Sequence, residues 1–128
     1  MRDEPAATSV EPVVYSDGRY NGRTLREWLP EVIDAIVDEI DPLQIILFGS
    51  LARGEEHPDS DIDLVVVLPE VTDQHAAAIA VRRAASSLPV PLDVIAVDPD
   101  DLRRRGDEIG GVLRPAVREG QVVHDRAA

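Results

Sequence analysis

Two short stretches of sequence decide the fold, and ten residues separate them. The first reads Leu47-Phe48-Gly49-Ser50, and the second reads Asp61-Ile62-Asp63-Leu64-Val65-Val66-Val67. The apolar run Leu43–Phe48 predicts a buried strand that ends just before Gly49. The second stretch predicts a strand over Asp61–Leu68, which is almost continuously apolar after its first three residues. Such a run is typical of a strand covered on both faces, so we expect a sheet with helices on both sides.

Helix and strand signals alternate along the rest of the chain. Thr24 and Glu27 fit a capping box, and the apolar residues after them recur every three or four positions as far as Ile40. Pro30 falls inside this pattern, so the helix either kinks there or begins there. The remaining predictions are a helical turn at Leu51–Gly54, helices at Asp73–Leu88, Pro99–Arg105 and Asp107–Arg118, and strands at Leu92–Val97 and Gln121–His124. This alternation predicts an α/β or α+β domain whose small mixed sheet of three to four strands is flanked by helices.

The N-terminal segment differs from the rest of the chain. It contains Pro5, Pro12 and Gly18 and shows no apolar periodicity. We therefore interpret residues 1–20 as a flexible N-terminal arm. The following residues, 21–128, are interpreted as one domain, which fits a length of 128 residues.

The composition excludes several classes of function. The chain has no cysteine, which excludes disulfides, zinc thiolates, iron–sulfur ligation and thiol nucleophiles. Its formal net charge of −12 repels bare nucleic acid and anionic lipid, so we expect no stable DNA binding and no membrane binding. All 13 basic residues are arginines, so no lysine can act as a base or a phosphate clamp. Without a signal peptide or a long apolar run, we expect a cytoplasmic protein.

Three aspartates are the candidate catalytic and metal-binding residues. Asp61 and Asp63 are two residues apart at the start of a strand, so their side chains project to the same side. Two close carboxylates repel each other unless a proton or a cation lies between them. Asp93 is the second residue of the next predicted strand, and it joins the same face if the two strands are neighbours. Mg²⁺ is usually held by one or two carboxylates plus substrate phosphates, and three carboxylates suffice for a two-metal site of nucleotidyl transfer.

The residues around Gly49 are candidates for binding the phosphates of a nucleotide. A glycine at a strand end lets the backbone approach a ligand closely. Ser50 would begin a short helical turn whose free N–H groups favour a phosphate. Arg53, one turn further on, can add positive charge beside a triphosphate. The spacing of Gly49–Gly54 also fits a P-loop, but two glutamates follow where that motif requires Lys and Ser or Thr, which excludes it.

These residues together resemble a known family, the minimal nucleotidyltransferase (MNT) domain of the polymerase-β superfamily. The similar features are Phe48-Gly49-Ser50, the ten-residue gap, Asp61-x-Asp63, the later strand residue Asp93, and the segments Ala52–Gly54, Ser60–Leu64 and Val117–Val123. The resemblance covers roughly residues 24 to 125. Leu51 departs from the pattern, because the family often has an arginine there, and this leaves Arg53 as the expected phosphate contact.

The resemblance implies a polymerase-β-like nucleotidyltransferase fold and a Mg²⁺-dependent reaction, usually the transfer of AMP from ATP. Asp61 and Asp63 would hold two Mg²⁺ ions. Asp93 would be a further metal ligand, and whether it also takes the proton of the acceptor stays open. Gly49 and Ser50 would hold the β- and γ-phosphates of ATP.

The size of the chain points to a narrower resemblance within this family, and that resemblance implies a partner protein. Stand-alone MNT proteins of this size resemble the antitoxin of HEPN/MNT toxin–antitoxin pairs. This implies transfer of AMP to a tyrosine of a HEPN ribonuclease toxin, which silences the toxin. Two alternatives stay open: a nucleotidyltransferase for a small, aminoglycoside-like acceptor, and a non-catalytic antitoxin that acts by contact alone. The sequence also leaves a homo-oligomer open.

Overall fold

The computed structural model describes residues 13–106, 111 and 113–127 of the chain. These residues form a small three-stranded sheet near the N-terminus and a central four-stranded sheet with helices around it. The arm predicted for residues 1–20 lies largely outside the described range, since residues 1–12 are not described. Residues 13–20 of that segment contain the first two strands of the small sheet, with the residues just before and between them.

The small sheet consists of three two-residue strands that the sequence analysis did not predict. β1 (Tyr15–Ser16), β2 (Arg19–Tyr20) and β3 (Arg23–Thr24) pair antiparallel in this order. The two connections, Asp17-Gly18 and Asn21-Gly22, have positive φ at all four residues. Two successive positive φ values define the type I′ hairpin turn, for which Asp-Gly and Asn-Gly are the favoured sequences.

Helix α1 (Leu25–Ile40) follows β3 directly and starts with the predicted capping box. The Thr24 hydroxyl accepts a hydrogen bond from the backbone N–H of Glu27, and the Glu27 carboxylate accepts one from the N–H of Thr24. Pro30 lies within the helix, so of the two predicted alternatives the helix does not begin there. Its buried stripe consists of Leu25, Leu29, Val32 and Ile36. Within the described part of the chain, no helix has both the length and the apolar character needed to cross a bilayer.

The central sheet confirms the predicted mixed sheet. Its strands are β4 (Gln44–Phe48), β5 (Ile62–Val67), β6 (Leu92–Val97) and β7 (Gln121–Asp125), in the spatial order β6-β5-β4-β7. β4 runs antiparallel to both of its neighbours, whereas β5 and β6 are parallel. The intervening helices are α2 (Gly49–Ala52), α3 (Gln74–Ala84), α4 (Pro99–Arg105) and α5 (Leu113–Glu119). The part of the predicted helix Asp107–Arg118 at residues 107–110 and 112 lies outside the described residues.

The two faces of the central sheet pack against different helices. Ile45, Leu47, Ile62, Leu64 and Val66 are buried on the face that α1 and α3 cover. Ile46, Val65, Val67 and Val97 are buried on the other face with Leu113 and Ala116 of α5. Side chains of a strand alternate between faces, so residue 63 of β5 and residue 93 of β6 project on the second face, which we call the α5 face.

Candidate active site

The structure places Asp63 and Asp93 side by side on the α5 face. Each is the second residue of its strand, and their Cα atoms are register partners in the parallel pair β5–β6. Asp61 immediately precedes β5 and is exposed. The charges of Asp61 and Asp93 both act on the Asp63 carboxyl group. The three predicted carboxylates therefore gather at one end of the sheet, where β5 and β6 begin.

The acid–base equilibrium of Asp63 is strongly perturbed. Burial, the negative charge of Asp93 and that of Asp61 together raise the pKa of the Asp63 carboxyl from 3.8 to about 6, against a smaller opposing effect of Arg53. Each of these causes disfavours the ionised carboxylate. A cation bound between the carboxylates would remove this unfavourable interaction.

Gly49 lies directly against Asp63. It is the first residue of α2 and has a φ of +76°. A Cβ atom built at this position would lie 2.2 Å from Oδ2 of Asp63 and 3.0 Å from its Cγ. Phe48 is the register partner of Asp63 across β4–β5, so the chain turns into α2 just beside that side chain. Both the backbone conformation and the close approach therefore require glycine.

A pair of serines connects α2 with the loop before Asp61. Oγ of Ser50 lies 2.8 Å from Oγ of Ser60, and either hydroxyl could be the donor. The backbone N–H of His57 donates to Oγ of Ser60 at 2.8 Å. Ser60 is the polar residue that is buried among those the structure describes, with 4% of its surface exposed. When Ser60 donates to Ser50, the proton of the Ser50 hydroxyl is available for an oxygen of a ligand.

Arg53 lies near the carboxylates but is held by a glutamate. Its Nε donates to Oε1 of Glu55 at 2.8 Å. The charge of Arg53 nevertheless lowers the pKa of Asp63, and Asp63 acts on Arg53 in turn. A phosphate group beside Asp63 would thus meet a guanidinium that already has one acidic partner.

The residues fit a magnesium site that a bound nucleotide would complete. Among the residues that the structure describes, no group of three or more His, Asp or Glu side chains is arranged to hold a metal ion alone. Mg²⁺ seldom has an all-protein cage, and it is usually bound by one or two carboxylates plus substrate phosphates and water. The carboxylate oxygens of Asp61 and Asp63 are donors of this kind. Burial and the negative charges of Asp93 and Asp61 raise the pKa of Asp63, and a bound cation would offset the repulsion between these charges.

Sequence analysis missed two features beside these carboxylates. The first is the role of Ser60, whose hydroxyl bridges Ser50 and His57 and whose burial has no sequence signal. The small N-terminal sheet was also missed, although the dipeptides Asp17-Gly18 and Asn21-Gly22 are strong hairpin signals. That sheet brings Tyr20 close enough to Asp61 for the negative charge of Asp61 to act on the Tyr20 phenol.

The sheet order, the three carboxylates and the glycine turn define a nucleotidyltransferase domain. The sequence pattern of the nucleotidyltransferase domain family matches residues 29–119, and the chain belongs to this family. This span runs from α1 through α5, and it includes all six predicted site residues: Gly49, Ser50, Arg53, Asp61, Asp63 and Asp93.

Individual relatives agree with this family. The protein adenylyltransferase MntA of Shewanella oneidensis is 35% identical over 66 residues, which are 51% of this chain and 48% of MntA. This chain thus matches about half the length of that relative. A protein from Sulfolobus solfataricus assigned as a nucleotidyltransferase has a TM-score of 0.55 at 20% identity, over 77% of this chain and 78% of that one. A mutant of the toxin–antitoxin complex MntA–HpeT also gives 0.55, at 25% identity over 76% and 72%.

Proposed function

We propose that this chain is a cytoplasmic, Mg²⁺-dependent adenylyltransferase that moves AMP from ATP to a protein, and that it acts as the antitoxin of a toxin–antitoxin pair. The observation that carries the proposal is the meeting of Asp61, Asp63 and Asp93 beside the Gly49 turn. The relative MntA is a protein adenylyltransferase, and a second relative comes from a toxin–antitoxin complex, which supports the choice of acceptor.

Each residue has a defined task in this proposal. Gly49 and Ser50 contact the β- and γ-phosphates, because the Gly49 turn lies directly beside Asp63 and the Ser50 hydroxyl can donate a hydrogen bond. Asp61 and Asp63 hold Mg²⁺, and Arg53 adds positive charge beside the triphosphate. When bound, two Mg²⁺ ions stabilise the charge that develops on the attacking and leaving oxygens.

The acceptor enters on the side of Asp93. A hydroxyl of the acceptor attacks the α-phosphorus of ATP, the bond from that phosphorus to the bridging oxygen breaks, and pyrophosphate leaves. In this proposal Asp93 receives the hydroxyl proton, and its exposure and its position beside Asp63 support that role. The chain supplies positions and charges rather than a covalent intermediate, as is usual for this type of transfer. A tyrosine of a HEPN ribonuclease toxin is the proposed acceptor.

Intact-mass spectrometry tests the proposal. The protein encoded beside this chain is purified and incubated with this chain, Mg²⁺ and ATP. The expected result is a mass gain of whole AMP units, with peptide mapping that places them on a tyrosine. The variant Asp63→Asn should give no gain, whereas Asp34→Asn, at an exposed aspartate of α1, should match the wild type.

Two other outcomes of this experiment would favour the two alternative functions. If the neighbouring protein gains no mass but forms a tight complex, a non-catalytic antitoxin replaces the enzyme. If labelled AMP instead appears on an aminoglycoside-like compound without any partner protein, the acceptor is a small molecule.

A further inference from the structure

The small N-terminal sheet presents an apolar surface beside the candidate active site. Val13, Val14 and Tyr15 are 58%, 63% and 44% exposed, and they follow one another along the chain at β1. They are three of the five large hydrophobic residues recorded as exposed in the described parts of the chain. We call them the β1 patch. Exposed apolar surface commonly marks an interaction site.

The β1 patch is physically continuous with the loop that carries Asp61. The Tyr15 hydroxyl donates to the carbonyl oxygen of Pro58 at 3.4 Å. The rings of Tyr15 and Tyr20 are 4.8 Å apart between centroids, in a tilted arrangement. Burial is the main cause of the raised pKa of Tyr20, and the negative charges of Tyr15, Asp61 and Asp59 raise this pKa further. A protein whose side chain reaches Asp61 and Asp63 would therefore also cover this sheet.

A cleft next to the patch indicates the chemistry of the surface that fits it. The cleft has a volume of about 670 Å³ and lies between the small sheet and residues 56–58. Tyr15, Tyr20 and Leu25 line it, together with Asp17 and Glu56. A cleft lined by tyrosines and acidic residues suits the long stem and cationic head of an arginine or a lysine.

The charges around the patch are mainly acidic. Asp17, Asp59 and Asp61 are exposed there. The arginines of the region do not offset them, because each pairs with a glutamate: Arg19 with Glu27, Arg23 with Glu31, and Arg26 with Glu56. Arg26 also lines the cleft and donates to the carbonyl oxygen of Leu51. A partner that covers this region must bring positive charge around an apolar contact.

We propose that the β1 patch and its cleft are the docking surface for the acceptor protein, which binds through an apolar contact bordered by arginine or lysine side chains. A protein that binds RNA carries a basic surface of this kind, so a ribonuclease would be held through its RNA-binding face. The inference rests on the proposed function for the identity of the partner. It adds where the partner binds and which surface of the partner is used.

A matched pair of substitutions tests the docking surface. Val14→Arg replaces an apolar contact with a like charge against a basic partner. Val122→Arg makes the same change on β7, at a residue that is 56% exposed and lies outside the patch. Since both valines are largely exposed, both variants should fold, and circular dichroism checks this. The probe is the purified protein encoded beside this chain, and its Kd is measured by calorimetry in the absence of ATP.

The expected result is a Kd raised about tenfold or more by Val14→Arg and unchanged by Val122→Arg. The Kd of the wild type should also rise between about 50 mM and about 500 mM NaCl, because the contact is partly electrostatic. The KM for ATP should be the same in all three proteins. Binding without ATP separates the two proposals, since docking is measured even if no AMP is transferred.

Three results would overturn the docking surface. One is a Kd of Val14→Arg within twofold of the wild type, or an equal loss in Val122→Arg. Another is the absence of any binding by the wild-type chain. The third is a wild-type dimer that Val14→Arg dissociates in sedimentation, which would assign the patch to a second copy of this chain.

Discussion

Asp63 and Asp93 are register partners on the parallel strands β5 and β6, and their carboxylates project on the same face of the sheet. The folded chain thus holds two like charges together, with Asp61 adding a third. Such repulsion disfavours the ionised form of Asp63. The stability of the free protein should therefore depend on this cluster.

The first prediction concerns the stability of Asp63→Asn. Because the pKa of Asp63 is raised to about 6 in the folded protein, ionisation of this group destabilises the fold. The cost is absent below about pH 4, grows as the pH rises towards 6, and is complete above it. Urea denaturation at about pH 7 should show Asp63→Asn more stable by about 1 kcal/mol, a value reduced for solvent screening. At about pH 4 the difference should vanish, and a difference that is independent of pH contradicts the account.

The second prediction concerns Mg²⁺. Millimolar Mg²⁺ should stabilise the wild type by about 1 kcal/mol, or about 4 °C in Tm, since the ion relieves the repulsion. Differential scanning calorimetry measures this, with NaCl of equal ionic strength as the control for simple screening. Asp63→Asn should lose the response, whereas Asp34→Asn should keep it. An equal rise in Tm with NaCl would contradict specific binding.

The third prediction compares two glycines with similar backbone conformations. Gly49 and Gly54 have φ values of +76° and +70°, so alanine strains the backbone at both. Only at Gly49 would the new Cβ meet Asp63, while at Gly54 nothing lies within 4 Å. Gly54→Ala should lower stability by about 1 kcal/mol and keep AMP transfer. Gly49→Ala should cost more and abolish transfer, and equal effects of the two variants would show that Asp63 does not need this close approach.

The fourth prediction concerns Ser60. Its buried hydroxyl accepts from the backbone N–H of His57 and bonds the hydroxyl of Ser50. Ser60→Ala removes both bonds and leaves the His57 N–H without this partner, which should lower the free energy of unfolding by about 1–2 kcal/mol. The KM for ATP should rise, since Ser50 is no longer oriented. Ser87→Ala, at an exposed serine, is the control, and a KM unchanged in Ser60→Ala would remove this positioning role.

Most of the fold could be predicted from apolar patterning. The run Leu92–Val97 and the segment Pro99–Arg105 correspond to β6 and α4 residue for residue, because Pro91, Asp98 and Pro99 mark their limits. The capping box at Thr24 was likewise visible, since capping depends on residues three apart. Such features are local, and local sequence is enough to determine them.

The features that were missed depend on turns and on distant contacts. The N-terminal strands are two residues long, so no periodicity can reveal them, and only their turn dipeptides could have done so. Ser60 is buried because the loop before Asp61 folds onto α2, and this is a tertiary contact. The pairing of Arg53 with Glu55 competes with a phosphate for the same guanidinium, and residue type alone does not show such competition.

The candidate site could be predicted from the sequence only in part. The spacing of Asp61 and Asp63 follows from the strand period, so their common direction was predictable. The position of Asp93 depended on β5 and β6 being neighbours, which the sequence left conditional and the structure provides. The roles of these residues in catalysis remain predictions until the variants are measured.

The central claim is that the three carboxylates direct attack at the α-phosphorus of ATP. The most direct measurement follows ATP radiolabelled at either the α- or the γ-phosphate, with Mg²⁺ and the neighbouring protein as acceptor. The account predicts that the α-label enters the acceptor and the γ-label leaves as pyrophosphate. It also predicts that Asp63→Asn prevents both, while Asp34→Asn, on the exposed side of α1, prevents neither. Transfer of the γ-label to the acceptor with release of ADP, or undiminished α-label transfer by Asp63→Asn, would contradict it.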